Sequence, residues 1–201
     1  MDRLLQRRQL LLYFGLGVVG AEVGSIALRS QNNITLRSLT DTAPIAAPTV
    51  TASPTPEPKQ LPEFEGISQW LNSEPLTVAS LAGDVVLIQF WTFACINCQR
   101  TLPYVTRWHQ QYAAQGLKVI GIHTPEFAFE RKVSNIEAAI AQHQITYPVP
   151  IDNDFQTWKA YENRWWPHLF LADRQGRIRY DHIGEGAYAE TEQMIHQLLQ
   201  S

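Results

Sequence analysis

The sequence predicts an α/β domain with a mixed central sheet and helices on both faces. Three observations point there. Val85 to Trp91 is a run of mostly apolar residues, oily on both faces as a strand inside a parallel sheet must be. Leu117 to His123 repeats that character after an intervening helical stretch. The elements then run β-α-β-α followed by β-β-α without an internal repeat, an order that places helices on both faces of a mixed sheet.

The chain starts with a different pattern. Arg3, Arg7 and Arg8 precede Leu10 to Ala21, a short and mainly apolar run, as in an export signal. Arg7-Arg8-Gln9-Leu10-Leu11 also resembles the twin-arginine export signal of bacteria. Glu22 interrupts the run, yet apolar character resumes to Leu28. An acid at mid-span costs roughly 2.5–3.5 kcal/mol on insertion scales. Residues 1–30 are therefore expected as a signal peptide, with Ser25-Ile26-Ala27 offering small residues for cleavage, or as a retained membrane anchor. Residues 31–62 are expected as a linker. Pro44, Pro48, Pro54, Pro56 and Pro58 remove backbone donors there, and the Thr, Ala and Ser between them cannot build a core. The result is a stiff, extended spacer.

The folded domain is expected over residues 63–201. Ile67 to Leu71 reads as a short helix and Leu76 to Leu81 as an edge strand or turn. After the first buried strand, a helix begins near Cys95 and runs through Gln111, kinked by Pro103, with Gly116 closing it. A second helix is expected over Phe129 to His143, and an extended piece around Tyr147 to Ile151. Asp154 is placed to cap a helix reaching Tyr161. His168 to Ala172 reads as a strand, Asp173-Arg174-Gln175-Gly176 as a turn and Arg177 to Ile183 as an antiparallel strand. An amphipathic helix over Ala187 to Leu199 closes the chain.

Composition narrows the function. The chain has 201 residues, 45% of them hydrophobic, and a formal charge of −3. A charge so small and mixed does not argue for nucleic acid. A domain of about 140 residues buries about two-thirds of its unfolded surface, enough for a core. Only two cysteines occur, Cys95 and Cys98, in a single CxxC motif, so no separate structural disulfide exists. Cysteine count alone leaves the compartment open.

The CxxC pair falls just past the carboxyl end of a buried strand, where open α/β sheets collect their chemistry. At the start of a helix, unpaired N–H groups and the positive dipole end stabilise a thiolate on Cys95. Cys98 lies on the same helical face and can close onto Cys95 once a mixed disulfide has formed. Cys95 is thus the attacking thiol and Cys98 the resolving one. A purely structural disulfide would close a loop too short to remove much unfolded-chain entropy. A zinc site wants four ligands, and no second cysteine pair exists.

Further stretches carry a resemblance. Phe90-Trp91-Thr92 precedes Cys95-Ile96-Asn97-Cys98-Gln99-Arg100 and Leu102-Pro103. Ile120-Gly121-Ile122-His123-Thr124-Pro125-Glu126, Tyr147-Pro148, Asp152-Asn153 and Trp165-Trp166-Pro167 follow in order. In these residues, over about Leu76 to Gly186, the chain resembles thioredoxin-fold proteins, specifically TlpA-like thiol-disulfide oxidoreductases. It is most similar to the thioredoxin-like domain of DipZ proteins.

The resemblance implies a thioredoxin fold and several roles. Pro167 falls where such folds keep a cis-proline facing the cysteines, its neighbouring backbone pairing with the substrate chain. Pro103 matches the proline that kinks the first long helix. Gln89 stands where thioredoxin keeps a buried aspartate, and it cannot accept the proton of Cys98. The resemblance places Glu126 as the carboxylate that relays this proton, its pKa raised by burial; a solvated acid near the next helix start is the plainer reading. Trp91 is expected beside the cysteines, and Trp166, with Trp165, in an apolar face that docks the substrate or simply packs. His123 is expected as a half-buried, hydrogen-bonded histidine. Gln89 needs a partner, expected from the backbone.

The expected function is exchange of disulfides with exported proteins through the Cys95–Cys98 pair, in the reducing direction and without a cofactor or metal. Its partners would be a disulfide-bearing client and an upstream electron-donor thiol protein, in the periplasm or an equivalent extracytoplasmic compartment, with membrane contact through residues 1–30. The direction itself is not written in the residues, since a shift of about 30 mV corresponds to only about 1.4 kcal/mol. Two alternatives use the same cysteines. Thr92-Phe93-Ala94-Cys95 matches the TxxC part of a peroxiredoxin signature, although Ile88 stands where its proline is expected. A copper-binding or delivery module would take Cys95, Cys98 and His123 as ligands, although copper carriers of this fold usually space the cysteines one residue wider.

Overall fold

The structure is a computed structural model that describes residues 58–201. The export or anchor segment expected at residues 1–30 and nearly all of the linker expected at 31–62 lie outside the described residues.

The framework is one six-stranded sheet in the order β1-β4-β3-β2-β5-β6. At its centre β2 (Val85–Trp91) runs parallel to β3 (Leu117–His123), joined by the long helix α1 (Ile96–Tyr112). β4 (Val149–Ile151) pairs in parallel with the end of β3, after helix α2 (Val133–Gln142). β5 (His168–Ala172) lies antiparallel on the other side of β2, following the short helix α3 (Gln156–Ala160). β6 (Ile178–Ile183) pairs antiparallel with β5, and helix α4 (Tyr188–Leu199) ends the domain. The mixed sheet expected from the element order is what forms.

β2 shows why its residues are apolar throughout. Val85, Leu87 and Trp91 face a core shared with Leu102 and Val105 of α1, Ile136 of α2 and Ile195 of α4. Val86, Ile88 and Phe90 point the other way, onto Trp158 of α3, Tyr161 and Phe170. Every residue of β2 is buried. At roughly 1.5–3 kcal/mol per buried large apolar side chain, this strand is among the costliest to expose.

Several boundaries differ from expectation, each for a local reason. Ile67 to Leu71 is not a helix: β1 (Gln69–Leu71) pairs antiparallel with β4. A short apolar run carries no periodicity that separates the two forms. Pairing decides, with Ser68 donating backbone N–H and hydroxyl to Ile151 O and the Asn72 amide donating to Ile145 O and Tyr147 O. Of the edge strand or turn expected over Leu76 to Leu81, it is the turn that forms, a 3₁₀ turn at Ala79–Leu81 preceded by Thr77, which exchanges backbone N–H and hydroxyl bonds with Ser80. The helix expected over Phe129 to His143 is broken at Lys132, which is extended between a 3₁₀ turn (Ala128–Arg131) and α2. Asp154 does not cap α3. Asp152 does, accepting from the N–H groups of Gln156, Thr157 and Trp158. Gly116 ends the first helical segment in the left-handed region (φ 97°), as expected of that residue.

Candidate functional site

Trp91 ends β2, and the chain needs only four residues to reach the first turn of α1. Cys95 takes the position ahead of that turn, with extended backbone (φ −74°, ψ 114°), and its sulfur accepts the Cys98 N–H at 3.3 Å. This sulfur therefore caps its own helix, doing for the orphan N–H groups what a Ser or Asp oxygen usually does. Cys95 is partly exposed, whereas Cys98 is wholly buried in the core under α1.

Burial and bonding split the two thiols. A hydrogen bond from the Cys98 thiol, helped by the N–H groups of Cys98 and Asn97, lowers the Cys95 pKa to about 7 against burial and the charge of Glu126. Cys98 is pushed far the other way, chiefly by burial and then by donating to Cys95. At neutral pH about half of the outer sulfur is thiolate, while the inner one holds its proton. Each half of that asymmetry suits one step of disulfide exchange.

Glu126 is exposed at the end of the loop after β3, so the burial expected to tune it is absent. The buried carboxylate of this region belongs to Glu130, which the sequence reading missed. Its side chain has no exposed surface. One oxygen accepts from the Thr92 hydroxyl and from Ala94 N–H at 3.0 Å. The other accepts from the N–H groups of Glu126 at 2.6 Å and Phe127 at 2.7 Å. The signal available in the sequence was the spacing of Glu130 three residues after Phe127, a carboxylate reaching back to the start of a helical turn.

His123, expected to be half-buried, is fully buried at the end of β3. Its ring stacks on Phe93 and meets Trp91 edge-on, and Nε2 lies 3.4 Å from the Thr92 hydroxyl. Burial lowers its pKa to about 4, so the imidazole is neutral at neutral pH. Trp91 is buried beside the pair, its indole N–H donating to Gly121 O at 3.1 Å. Gly121 makes that possible, since a Cβ there would stand 2.7 Å from the Tyr147 ring and 3.2 Å from Trp91 Nε1. Gln89, whose partner was expected from the backbone, meets no hydrogen-bonding group with either amide atom. It is enclosed between Leu87 and Trp91 on the face of β2 that holds Cys98.

The Trp166–Pro167 peptide is cis. Pro167 precedes β5, whose first residue, His168, pairs with Phe90 of β2, so the proline sits at the same end of the sheet as the cysteines. The loop leading to it is tied down by Asn163, whose side-chain oxygen accepts from Arg164 N–H, Trp165 N–H and His168 Nδ1. Trp166 is partly buried, packs on Trp158 and donates to Thr124 O at 3.0 Å, while Trp165 is exposed. Ile96, Phe127 and Phe129 are also exposed, with Phe129 in ring contact with Phe93 and Phe127. Among the described residues no group of three or more His, Cys, Asp or Glu side chains is placed to hold a metal ion.

Comparison with known proteins adds a family. Residues 58–181, more than half of the chain, match the model of the AhpC/TSA family. The chain is 47% identical over 141 residues to Protein DipZ of Mycobacterium bovis, a match covering 69% of this chain and 20% of that protein. It is 28% identical over 139 residues to the thiol-disulfide oxidoreductase YkuV of Bacillus subtilis, covering 69% and 93%. The solution structure of a thioredoxin-like protein in the oxidized form superposes with a TM-score of 0.66 at 28% identity, over 71% of this chain and 96% of that one. The architecture is thioredoxin-like. The chain spans about a fifth of the length of the DipZ proteins it matches.

Proposed function

We propose, from the premise that this chain belongs to the AhpC/TSA family, that it is a thiol-disulfide oxidoreductase working through Cys95 and Cys98. The observation that carries the reading is the asymmetry of the pair: a partly exposed sulfur with a pKa of about 7 above a buried thiol that keeps its proton.

The Cys95 thiolate attacks one sulfur of a client disulfide. A Cys95–client bond forms, the client bond breaks, and the departing client thiolate takes a proton from solvent. Cys98 then gives up its proton and attacks the Cys95 sulfur. The Cys95–Cys98 disulfide forms, the second client sulfur leaves as thiolate, and it takes up a proton in turn. Two electrons pass to the client, and an upstream thiol protein restores the pair. Glu126, at the solvent edge and close enough for its charge to bear on Cys95, is the proposed exchanger of these protons. The backbone beside Pro167 pairs with the client, Trp91 backs the cysteines, and Trp166 with exposed Trp165 and Ile96 gives the client an apolar landing. The reducing direction, clients among exported proteins and an extracytoplasmic site reached through residues 1–30 belong to the same proposal.

The alternatives find less support. A peroxide-reducing site would use the Thr92 hydroxyl at the Cys95 sulfur, but that hydroxyl donates to Glu130. A copper module would use His123, whose ring is enclosed by Trp91 and Phe93. The test is a Cys98→Ser variant of the full chain, incubated with oxidised insulin. A mixed disulfide on Cys95 is expected to accumulate, and the parent protein is expected to reduce insulin. Absence of both outcomes would refute the exchange mechanism.

A further inference from the structure

Glu130 is a wholly buried carboxylate, and no Lys or Arg among the described residues pairs with it; the neighbouring Arg131 turns to Asp154 instead. Burying such a charge is costly unless it is compensated by hydrogen bonds. The compensation comes from four donors and no acceptor: one hydroxyl and three backbone N–H groups. A glutamine could not replace it atom for atom, because its amide NH₂ would face donors at one end. The Thr92 hydroxyl, having spent its proton on Glu130, can only accept from His123 Nε2–H, which fixes the neutral tautomer of that ring.

The donors fall into two groups of different origin. Thr92 and Ala94 belong to the loop that delivers Cys95, and the Gln99 side chain clips Phe93 O in the same loop at 2.7 Å. Glu126 and Phe127 belong to the loop after β3. We propose that Glu130 is a positioning residue of the exchange site, clamping the Cys95 loop to the loop that carries Glu126 and Phe127. The clamp holds Cys95 where the Cys98 N–H and thiol reach its sulfur, and it sets Glu126 beside that sulfur. The assignment rests on the exchange reading, but its primary readout does not.

The test uses the full chain and the pH midpoint of Cys95 alkylation by iodoacetamide. Deleting the negative charge of Glu130, by itself, can only favour the Cys95 thiolate and move the midpoint down. A slackened clamp loosens the Cys98 bonds and moves it up. Glu130→Gln is expected to raise the midpoint by about one unit, the worth of one charge-assisted hydrogen bond. Insulin reduction is expected to slow about tenfold or more, as when a supporting group around a site is lost. Thr92→Val, which deletes a single donor, is expected to shift the midpoint in the same direction by less, and Thr92→Ser to restore it; this pair decides the matter if Glu130→Gln does not fold. Variants that lose thermal stability while keeping the parent midpoint would overturn the proposal and leave Glu130 a purely structural group. Should the parent fail to reduce insulin and Cys98→Ser trap no mixed disulfide, the exchange reading falls, while the midpoint series still reports on the clamp.

Discussion

The bond between the two thiols gives the most direct prediction. Removing it with Cys98→Ala leaves the backbone N–H of residue 98 in place and deletes only the side-chain donor, the largest cause of the lowered Cys95 pKa. A hydrogen bond to a charged group contributes about 1.5–3 kcal/mol, or about one to two pKa units. The low end applies to a partly exposed sulfur. The Cys95 midpoint should therefore rise from about 7 to about 8, short of the ordinary 9.0 because two N–H donors remain. The rate at a single pH is a poor readout. At pH 7 the thiolate fraction falls about fivefold, but the more basic thiolate regains about threefold in nucleophilicity at a Brønsted slope of 0.4–0.5. The assay is instead the full pH profile of alkylation, or of thiolate absorbance, in reduced parent and variant. A midpoint that stays at about 7 would show that the helix N–H groups alone set the Cys95 pKa, and the thiol-to-thiolate argument would fail.

Three further perturbations test the surrounding frame. Gly121→Ala puts a methyl into the Tyr147 ring and against the Trp91 indole, and should lower the stability read from urea unfolding by about 1–3 kcal/mol; an unchanged midpoint would mean both rings can move aside. Asp152→Ala orphans three N–H groups at the start of α3 and should cost about 2 kcal/mol, with Asp152→Asn partly restoring it, as thermal unfolding will report. His123 has a folded pKa of about 4 against 6.5 for the free side chain, so below 6.5 the unfolded chain binds the extra proton. Stability of the oxidised protein should accordingly fall as pH drops from about 6.5 to about 4, by up to about 3 kcal/mol from this group. His123→Asn should flatten that slope, and an equally steep slope in the variant would assign it elsewhere.

How much of this was legible in the sequence depends on the range of the interactions involved. β2, β3 and α1 were readable because each is long and carries its own signal: strands oily on both faces, and a helix opened by Cys95 and followed by Gly116. The three-residue strand β1 was not, since it exists only through Ser68, Asn72 and the partner β4 far along the chain. The α3 cap was misplaced by two residues because Phe155 sits in the left-handed region (φ 59°), which lets Asp152 reach over it to three N–H groups. The same kind of miss separates Glu126 from Glu130. Both acids flank the loop after β3, and only the turn at Ala128–Arg131 decides which of them folds back under Cys95.

The asymmetry of the pair also explains how it would be undone at the right moment. Three of the causes that hold the proton on Cys98 are burial, the hydrogen bond to Cys95 and the charge on Cys95. Two of these exist only while Cys95 is a thiolate. Once Cys95 is bound to a client sulfur, its negative charge and its demand for the Cys98 proton vanish together. What continues to favour the thiol is burial, with the weaker charge of Glu130, while the Thr92 N–H still favours the thiolate. Formation of the mixed disulfide thus makes its own resolution easier, and no movement of the backbone is needed to trigger it. It follows that a Cys95→Ala variant, which lacks the outer thiolate altogether, should show Cys98 ionising at lower pH than in the reduced parent. Cys98 that stays as resistant to alkaline titration as before would mean that burial alone governs the inner thiol.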